Sequence, residues 1–208
     1  MILSVGELSR AWNRWKGGDT MGRKQSFTAT ELLETTKRLV LEHGYDGFHL
    51  KLLSEHLPGA RSTIYQYYAN KEEIVAACMK HVIVNVLEQA SAVDETDAMS
   101  ALQQLLLIYV GESQLHQLLG DAYKINTANS SAAASDLEFV EEAHVTLKLQ
   151  LTRLFERAQQ DQRLRNDIPL PVLVGVFFNL INTPNMLNIP TPQWSELLFQ
   201  MWIGGARS

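Results

Sequence analysis

The side chains best suited to chemistry in this chain lie in one short segment. Residues 61–67 read Arg-Ser-Thr-Ile-Tyr-Gln-Tyr, a run rich in hydrogen-bonding groups. If the segment is helical, Ile64 faces the protein interior. Ser62, Thr63 and Gln66 then project the opposite way. A Gln amide matches the donor and acceptor that adenine presents, and a Thr hydroxyl or methyl group fits a base edge. The pattern predicts hydrogen bonding to bases in the major groove of DNA.

Cationic and phenolic side chains around that segment suit the DNA backbone instead. Such groups hold phosphates and fix the register of a protein on the duplex. For each of them, as for the base-facing side chains, the alternative is a solvated or core-supporting side chain. The backbone-binding set is Arg61, Tyr65, Tyr67 and Lys71. The complete set of predicted DNA contacts is Arg23, Lys24, His49, Arg61, Ser62, Thr63, Tyr65, Gln66, Tyr67 and Lys71.

Two helices and a tight turn must position this segment. Thr28-Ala-Thr-Glu31 is a capping box that predicts a helix start, and an apolar face at three- and four-residue spacing follows it. Gly44 is placed to end that helix, because glycine adopts positive φ without steric cost. Apolar residues within 50–57 fit a short second helix, after which Pro58-Gly59 breaks the chain. With a helix at about 60–68, the layout is a helix-turn-helix.

At these residues the chain resembles the TetR family of bacterial transcriptional regulators. The likeness is carried by Gly44-Tyr45, by Arg61-Ser-Thr-Ile-Tyr65, by Tyr68 and by Asn70-Lys71-Glu72. It runs without gaps over roughly residues 28 to 80. The resemblance implies an all-α fold, in which an N-terminal three-helix DNA-binding domain precedes a C-terminal helical bundle for ligand binding and dimerisation.

Three residues depart from the family pattern. Pro58 stands where the family usually has glycine, so Gly59 has to supply the turn one position later. Ala60 replaces the usual serine, which removes a side-chain cap typically worth about 1 kcal/mol. Ser62 replaces a glycine that lets the backbone approach phosphate closely. These departures bear on the exact DNA contacts and not on the fold.

Charge is divided unevenly along the chain. The net charge is −5, yet residues 1–80 carry 11 Lys and Arg against 9 Asp and Glu. Phosphate binding needs a local basic patch, which an acidic whole does not exclude. The single cysteine, Cys78, excludes an internal disulfide framework, suits a reducing cytoplasm and lies in an apolar series as a buried thiol. The longest apolar run, Val172 to Phe178, is far short of the ~20 residues that span a bilayer.

The sequence after Lys71 is nearly all helical. We expect Thr127–Ser135 to be a mobile loop and Asp136 to cap a long helix that reaches about Arg163. The last two helices, roughly 171–182 and 192–203, carry apolar faces that predict a four-helix interface with a second copy. The alternative is a plain core within one chain. The predicted interface residues are Leu173, Val176, Phe177, Leu180, Leu197, Leu198, Met201 and Trp202.

The resemblance also implies a small-molecule pocket inside the C-terminal helices. Aromatic residues at helical spacing are otherwise ordinary core. His116 and His144 have no paired carboxylate and no second histidine at i+4, as a metal site would need. We therefore expect no metal and no cofactor. The candidate pocket residues are Tyr109, His116, Tyr123, Phe139, His144, Phe155 and Phe178.

We divide the chain into an N-terminal extension or basic arm (1–24), a helix-turn-helix domain (25–72) and a regulatory and dimerisation domain (73–208). The resemblance implies a cytoplasmic, sequence-specific repressor that binds a pseudo-palindromic operator as a homodimer and is released by a small-molecule effector. The alternative is a dimeric DNA-binding protein without an inducer. An enzyme is disfavoured, because the chain lacks a Gly-rich phosphate loop, a Cys/His nucleophile pair and a carboxylate–histidine metal motif.

Overall fold

The structure is all-α, as the sequence predicts. The computed structural model describes residues 27–58, 61–114, 118, 120 and 122–206, and it contains no strand within them. The described helices are α1 (Ala29–Gly47), α2 (Leu50–Glu55), α3 (Arg61–Tyr67), α4 (Lys71–Ser91), α5 (Ala98–Gly111), α6 (Ser131–Gln160), α7 (Leu170–Ile181) and α8 (Thr191–Ala206), with a 3₁₀ turn at Ala122–Lys124. None of these helices is both long and apolar enough to cross a membrane.

The described residues form two compact units. The head unit falls within residues 8–85 and 114–143, and the bundle unit falls within residues 86–113 and 144–208. The three helices of the predicted helix-turn-helix, α1 to α3, belong to the head unit. The last two helices, α7 and α8, belong to the bundle unit. The domain boundary that we place at residue 72 stays a prediction.

Local sequence determines how α1 begins and ends. The Thr28 hydroxyl accepts a hydrogen bond from the Glu31 N–H at 3.1 Å, and the Glu31 carboxylate accepts one from the Thr28 N–H at 2.6 Å. Gly44 has a φ of +70°, a conformation that costs residues with a Cβ energy, so the regular helix breaks there. The remaining turn closes when the Phe48 N–H donates to the Gly44 carbonyl at 3.1 Å. The predicted helix start and the break at Gly44 are confirmed, but α1 continues for a further turn and ends at Gly47.

Apolar side chains from all three N-terminal helices fill the core of the head unit. Leu32, Leu53 and Ile64 are fully buried, and Ile74 and Cys78 of α4 join them. The Cys78 thiol donates weakly to the Leu33 carbonyl, with sulfur and oxygen 3.5 Å apart. Burial raises the pKa of this thiol to about 12. The predicted buried thiol is therefore confirmed.

Three aromatic rings form the centre of the bundle unit. Phe155 lies 5.2 Å from Phe177 and 5.6 Å from Trp202, and the last two lie 5.4 Å apart, all edge to face. This geometry places the positive ring edge against the negative face, which adds to the stability gained from burial. The cluster ties α6, α7 and α8 together.

The start of α6 corrects one expectation. The helix begins at Ser131, so much of the segment expected to be a mobile loop is helical. The Ser130 hydroxyl accepts from the Ala133 N–H at 3.2 Å and caps the helix. Asp136 is not the cap. It lies inside the helix and pairs with Lys80 at 2.6 Å. Three consecutive alanines at 132–134, the strongest helix formers, explain why the helix starts early.

Candidate DNA-binding surface

Helix α3 buries Ile64 and exposes a polar face. Ile64 is only 1% exposed and anchors the helix in the head unit. Ser62 and Gln66 are exposed, Thr63 is half-buried, and Tyr65 is 44% exposed. The polar face that the sequence predicts is therefore open to solvent. This face spans about two helical turns, and in a recognition helix a segment of that length reaches base edges in the major groove.

His49 caps the helix that precedes the turn. Its Nδ1 accepts a hydrogen bond from the Leu52 N–H at 2.9 Å, with His49 in extended backbone conformation. A nitrogen that accepts carries no proton, so the neutral ring has its proton on Nε2. The ring is exposed. The Nε2–H can therefore donate to a phosphate while Nδ1 keeps the helix start in place. The sequence indicated the DNA contact but not the cap.

Lys71 lies over an aromatic ring at the start of α4. Its ammonium is 4.1 Å from the centroid of the Tyr45 ring, a cation–π contact. Partial burial lowers the pKa of Lys71, against the opposing pull of Asp46 and Glu72. The Tyr45 hydroxyl donates to Glu72 at 3.4 Å, and burial followed by that carboxylate raises the pKa of Tyr45 to about 12. Tyr45 of the Gly-Tyr pair thus positions a cation at the start of α4.

Other predicted DNA contacts have different surroundings. The half-buried Tyr67 packs its ring 6.0 Å from that of Phe27, so it supports the core as well as facing outward. Arg23 and Lys24 lie outside the described residues, as does the side chain of Arg61. No group of three or more His, Cys, Asp or Glu side chains in the described part of the chain could hold a metal ion.

The candidate pocket residues that the structure describes have different surroundings. Tyr123 is 82% exposed in the head unit, so its predicted place inside a pocket is wrong. Phe155 belongs to the aromatic cluster of the bundle unit, where it packs against Phe177 and Trp202. Phe139 is half-buried with the Lys80 ammonium 5.0 Å from its ring centroid. Phe178 is half-buried and His144 is exposed, whereas His116 lies outside the described residues.

Tyr109 differs from the rest of that set. It is buried in the bundle unit, and its hydroxyl has no hydrogen-bond partner among the described residues. Burial raises the pKa of this phenol, so it is an O–H donor across the physiological range. A buried donor without an acceptor costs free energy, which an acceptor on a ligand would recover.

The predicted dimer residues fall into two groups. Leu173, Phe177, Leu198 and Trp202 are buried within the bundle unit of a single chain, so their assignment to an interface between chains is corrected. Helices that are apolar nearly all round do not reveal which side packs inward.

The remaining dimer candidates are accessible. Leu180 is half-buried, Val176 is 50% exposed, Leu197 is 48% exposed and Met201 is 78% exposed. Val172 is not among the predicted interface residues, yet it is as exposed as Val176. An apolar groove of about 320 Å³ lies on α7 and α8, and its exposed lining residues include Val172, Val176 and Met201. Gly205 and Ala206 also line it.

Comparisons with known proteins agree with this geometry. Residues 32–78 match the family model described as bacterial regulatory proteins, tetR family. Among curated proteins, the HTH-type transcriptional repressor AcnR of Corynebacterium diphtheriae is 25% identical over 148 residues, which cover 71% of this chain and 74% of the relative. AcnR of Corynebacterium glutamicum is 21% identical over 152 residues, covering 73% and 77%.

Solved structures show the same fold. The ketosteroid transcriptional regulator KstR2 of Mycobacterium tuberculosis superposes with a TM-score of 0.72 at 12% identity, over 89% of this chain and all of that one. AibR, in complex with isovaleryl coenzyme A and operator DNA, superposes with a TM-score of 0.66 at 18% identity, over 83% and 96%.

Proposed function

We propose that this chain, which belongs to the TetR family of bacterial regulatory proteins, is a transcriptional repressor that reads operator DNA with α3. The observation that carries the proposal is the exposed face of Ser62 and Gln66 on a helix anchored by the buried Ile64. A short helix with one fixed side and one polar, accessible side is what insertion into the major groove requires. The matched curated relatives are named as repressors.

The proposed division of labour on DNA follows from side-chain chemistry. Gln66 and Thr63 contact base edges and supply sequence preference. His49, through Nε2–H, and Lys71, beside Tyr45, contact phosphates and fix the register on the duplex. The charge of Lys71 also adds salt-dependent affinity. Arg61 and Tyr65 belong to the same backbone-binding group.

The chain acts as a homodimer in this proposal. The exposed apolar side chains of α7 and α8, Val176, Leu197 and Met201, form the contact with a second copy. A two-fold pair of recognition helices reads two half-sites about 34–36 Å apart, so the operator is pseudo-palindromic. Exposed apolar groups on neighbouring helices support this, because such patches mark interaction surfaces.

A small-molecule effector regulates DNA binding in this proposal. The structural neighbour AibR is described in complex with isovaleryl coenzyme A and operator DNA. In this chain the buried Tyr109 hydroxyl is the group that we propose donates to an effector within the bundle unit. A ligand weakens DNA binding only if it binds the DNA-free state more tightly than the DNA-bound state. The second candidate is a DNA-binding dimer without an inducer, which a failure of the effector test below would favour.

Selection from a random duplex library tests the main proposal. Purified full-length protein should enrich a pseudo-palindromic sequence, and its affinity for that duplex should fall steeply as salt rises. Failure to enrich any motif at low salt would overturn the assignment. Isovaleryl coenzyme A and simpler acyl thioesters are then added to the selected complex as probes. Release by a probe in wild type, and a weaker response in Tyr109→Phe with unchanged DNA affinity, would support the ligand-responsive form.

A further inference from the structure

One carboxylate in the head unit joins two segments that are distant in sequence. Glu73 lies in the first turn of α4. Its Oε2 accepts from the backbone N–H of Ala69 at 2.8 Å, and its Oε1 accepts from the Ser130 hydroxyl at 2.9 Å. Ala69 lies in the turn that leaves the recognition helix α3. Ser130 immediately precedes α6. The side chain of Glu73 therefore connects the exit of α3 with the start of α6.

Both ends of this connection are fixed by further hydrogen bonds. The Asn70 side-chain oxygen accepts from the Glu73 N–H at 2.8 Å and caps α4. At the other end, the Ser130 hydroxyl accepts from the Ala133 N–H at 3.2 Å while it donates to Glu73. Ser130 is only 7% exposed. Because the hydroxyl both caps α6 and donates to Glu73, a shift of the first turn of α6 must strain or break the bond to Glu73.

A second contact two helical turns further along holds the same pair of helices. Lys80 is seven residues after Glu73, and its ammonium lies 2.6 Å from Asp136. The two side chains are only 20% and 22% exposed, so solvent screens this ion pair less than a surface pair. The Lys80 ammonium also lies 5.0 Å from the centroid of the Phe139 ring. Two contacts at this spacing set both the position and the register of α6 along α4.

Tyr68, directly after the recognition helix α3, is influenced by the charges of Glu73 and Asp136. Its N–H donates to the Ile64 carbonyl at 3.1 Å, so it closes the last turn of α3. Burial raises the pKa of its phenol, and the nearby carboxylates of Asp136 and Glu73 add to that increase. The phenol that follows α3 is therefore close enough to be influenced by the charges of Glu73, in α4, and Asp136, in α6.

We infer that Glu73 and Ser130 are positioning residues for DNA binding, and that their hydrogen bond makes the orientation of α3 depend on the start of α6. This inference rests on the proposed function and adds a regulatory contact to it. A seven-residue helix has little stability of its own, so the contacts at its ends decide how it is held. A displacement of α6 that breaks the Glu73 contact releases the Ala69 turn and weakens DNA binding.

Matched variants separate this contact from helix capping. Ser130→Asp keeps a good cap for α6 but places a second carboxylate against Glu73, and Ser130→Asn keeps the cap without the charge. We expect Ser130→Asp to weaken binding to the duplex selected by wild type by about tenfold, and Ser130→Asn to weaken it by less than about threefold. Glu73→Gln combined with Ser130→Asp should recover most of the loss, because an amide can donate to the new carboxylate and still accept from Ala69.

Amide hydrogen exchange provides a readout that needs no DNA. The Ala69 amide should exchange faster in Ser130→Asp than in wild type and return towards wild type in the double variant. Unchanged Ala69 exchange in Ser130→Asp, or losses in DNA affinity that simply add in the double variant, would overturn the inference. If Ser130→Asp does not fold, Ser130→Gly removes the donor to Glu73 at a position where glycine is tolerated as a cap, and faster exchange at Ala69 than in wild type is again the expected result. A wild type that selects no duplex refutes the proposed function, whereas the exchange experiment still decides on the contact.

Discussion

The imidazole Nδ1 of His49 accepts the backbone N–H of Leu52 at 2.9 Å, which makes a histidine the cap of the helix before the recognition turn. Ser, Thr, Asp and Asn are the usual residues at this position. The arrangement leaves only Nε2–H for other partners. One exposed side chain thus caps α2, and we propose that the same side chain binds phosphate.

Three substitutions of His49 should separate those roles. His49→Ala removes the cap and should lower the free energy of unfolding by about 1 kcal/mol, and it should also weaken DNA binding. His49→Asn keeps the cap and should restore stability. His49→Asp keeps the cap as well, but its charge repels phosphate, so DNA affinity should fall below that of His49→Asn at equal stability. Urea unfolding and titration of labelled duplex measure the two effects. Equal DNA affinity of the Asn and Asp variants would reject the phosphate contact.

Replacing Gln66 by alanine should relax sequence preference at one base position of each half-site. Loss of a bidentate contact costs about 1–3 kcal/mol against the preferred base and little against the other bases. Thr63→Ala should act in the same way at a neighbouring position. Both variants should keep the oligomeric state of wild type. Binding to a set of duplexes with single base changes measures the effect, and an unchanged preference profile would reject base readout by these side chains.

Lys71→Gln serves as the matched comparison for the base-reading variants. A lost phosphate contact should weaken binding equally for all duplexes and reduce the slope of log affinity against log salt by about 0.9. The Tyr45 side chain should also be held less firmly in this variant, because the ammonium over its ring is gone. If the salt slope of Lys71→Gln equals that of wild type, Lys71 has only its role against Tyr45.

Exposed and buried residues of α7 should respond differently to substitution. Val176→Glu places a charge on the exposed face and should dissociate the dimer at micromolar concentration without unfolding the chain, since an unpaired charge in an interface costs about 2 kcal/mol or more. Met201→Glu on α8 should do the same. Phe177→Ala instead removes a ring from the aromatic cluster and should lower the free energy of unfolding by about 3–5 kcal/mol. Light scattering and urea unfolding distinguish the outcomes, and a Val176→Glu protein that remains dimeric would place the interface elsewhere.

Cys78 should make stability depend on pH in the alkaline range. Burial, with Glu34 adding to it, raises the pKa of the thiol from 9.0 to about 12. The folded state then holds the proton more tightly than the unfolded state. The stabilisation that Cys78 contributes through this raised pKa is complete below about pH 9. It is lost as the pH rises to 12, by up to about 1.4 kcal/mol per pH unit. The free energy of unfolding of wild type should therefore fall more steeply from pH 9 to pH 11 than that of Cys78→Ala. If the unfolding free energies of wild type and Cys78→Ala change in parallel with pH, the pKa of the folded-state thiol is not raised.

Local sequence alone determined the parts of this protein that depend on short-range backbone physics. The capping box at Thr28 and Glu31 and the positive φ of Gly44 involve residues within a few positions of one another, so no distant contact was needed to predict them. The inward side of α3 followed from helical periodicity, and the buried Ile64 agrees with it.

Tertiary structure decided what depends on distant partners. Ser130 meets Glu73 across 57 positions, and no periodicity in either segment predicts that meeting. Phe177 is core whereas its neighbour Val176 is exposed, because packing against α8 and α6 chose one side of a helix that is apolar almost all round. Hydrophobic burial has no direction of its own, so composition specifies that a face is buried, and only the assembled fold specifies which face and against what.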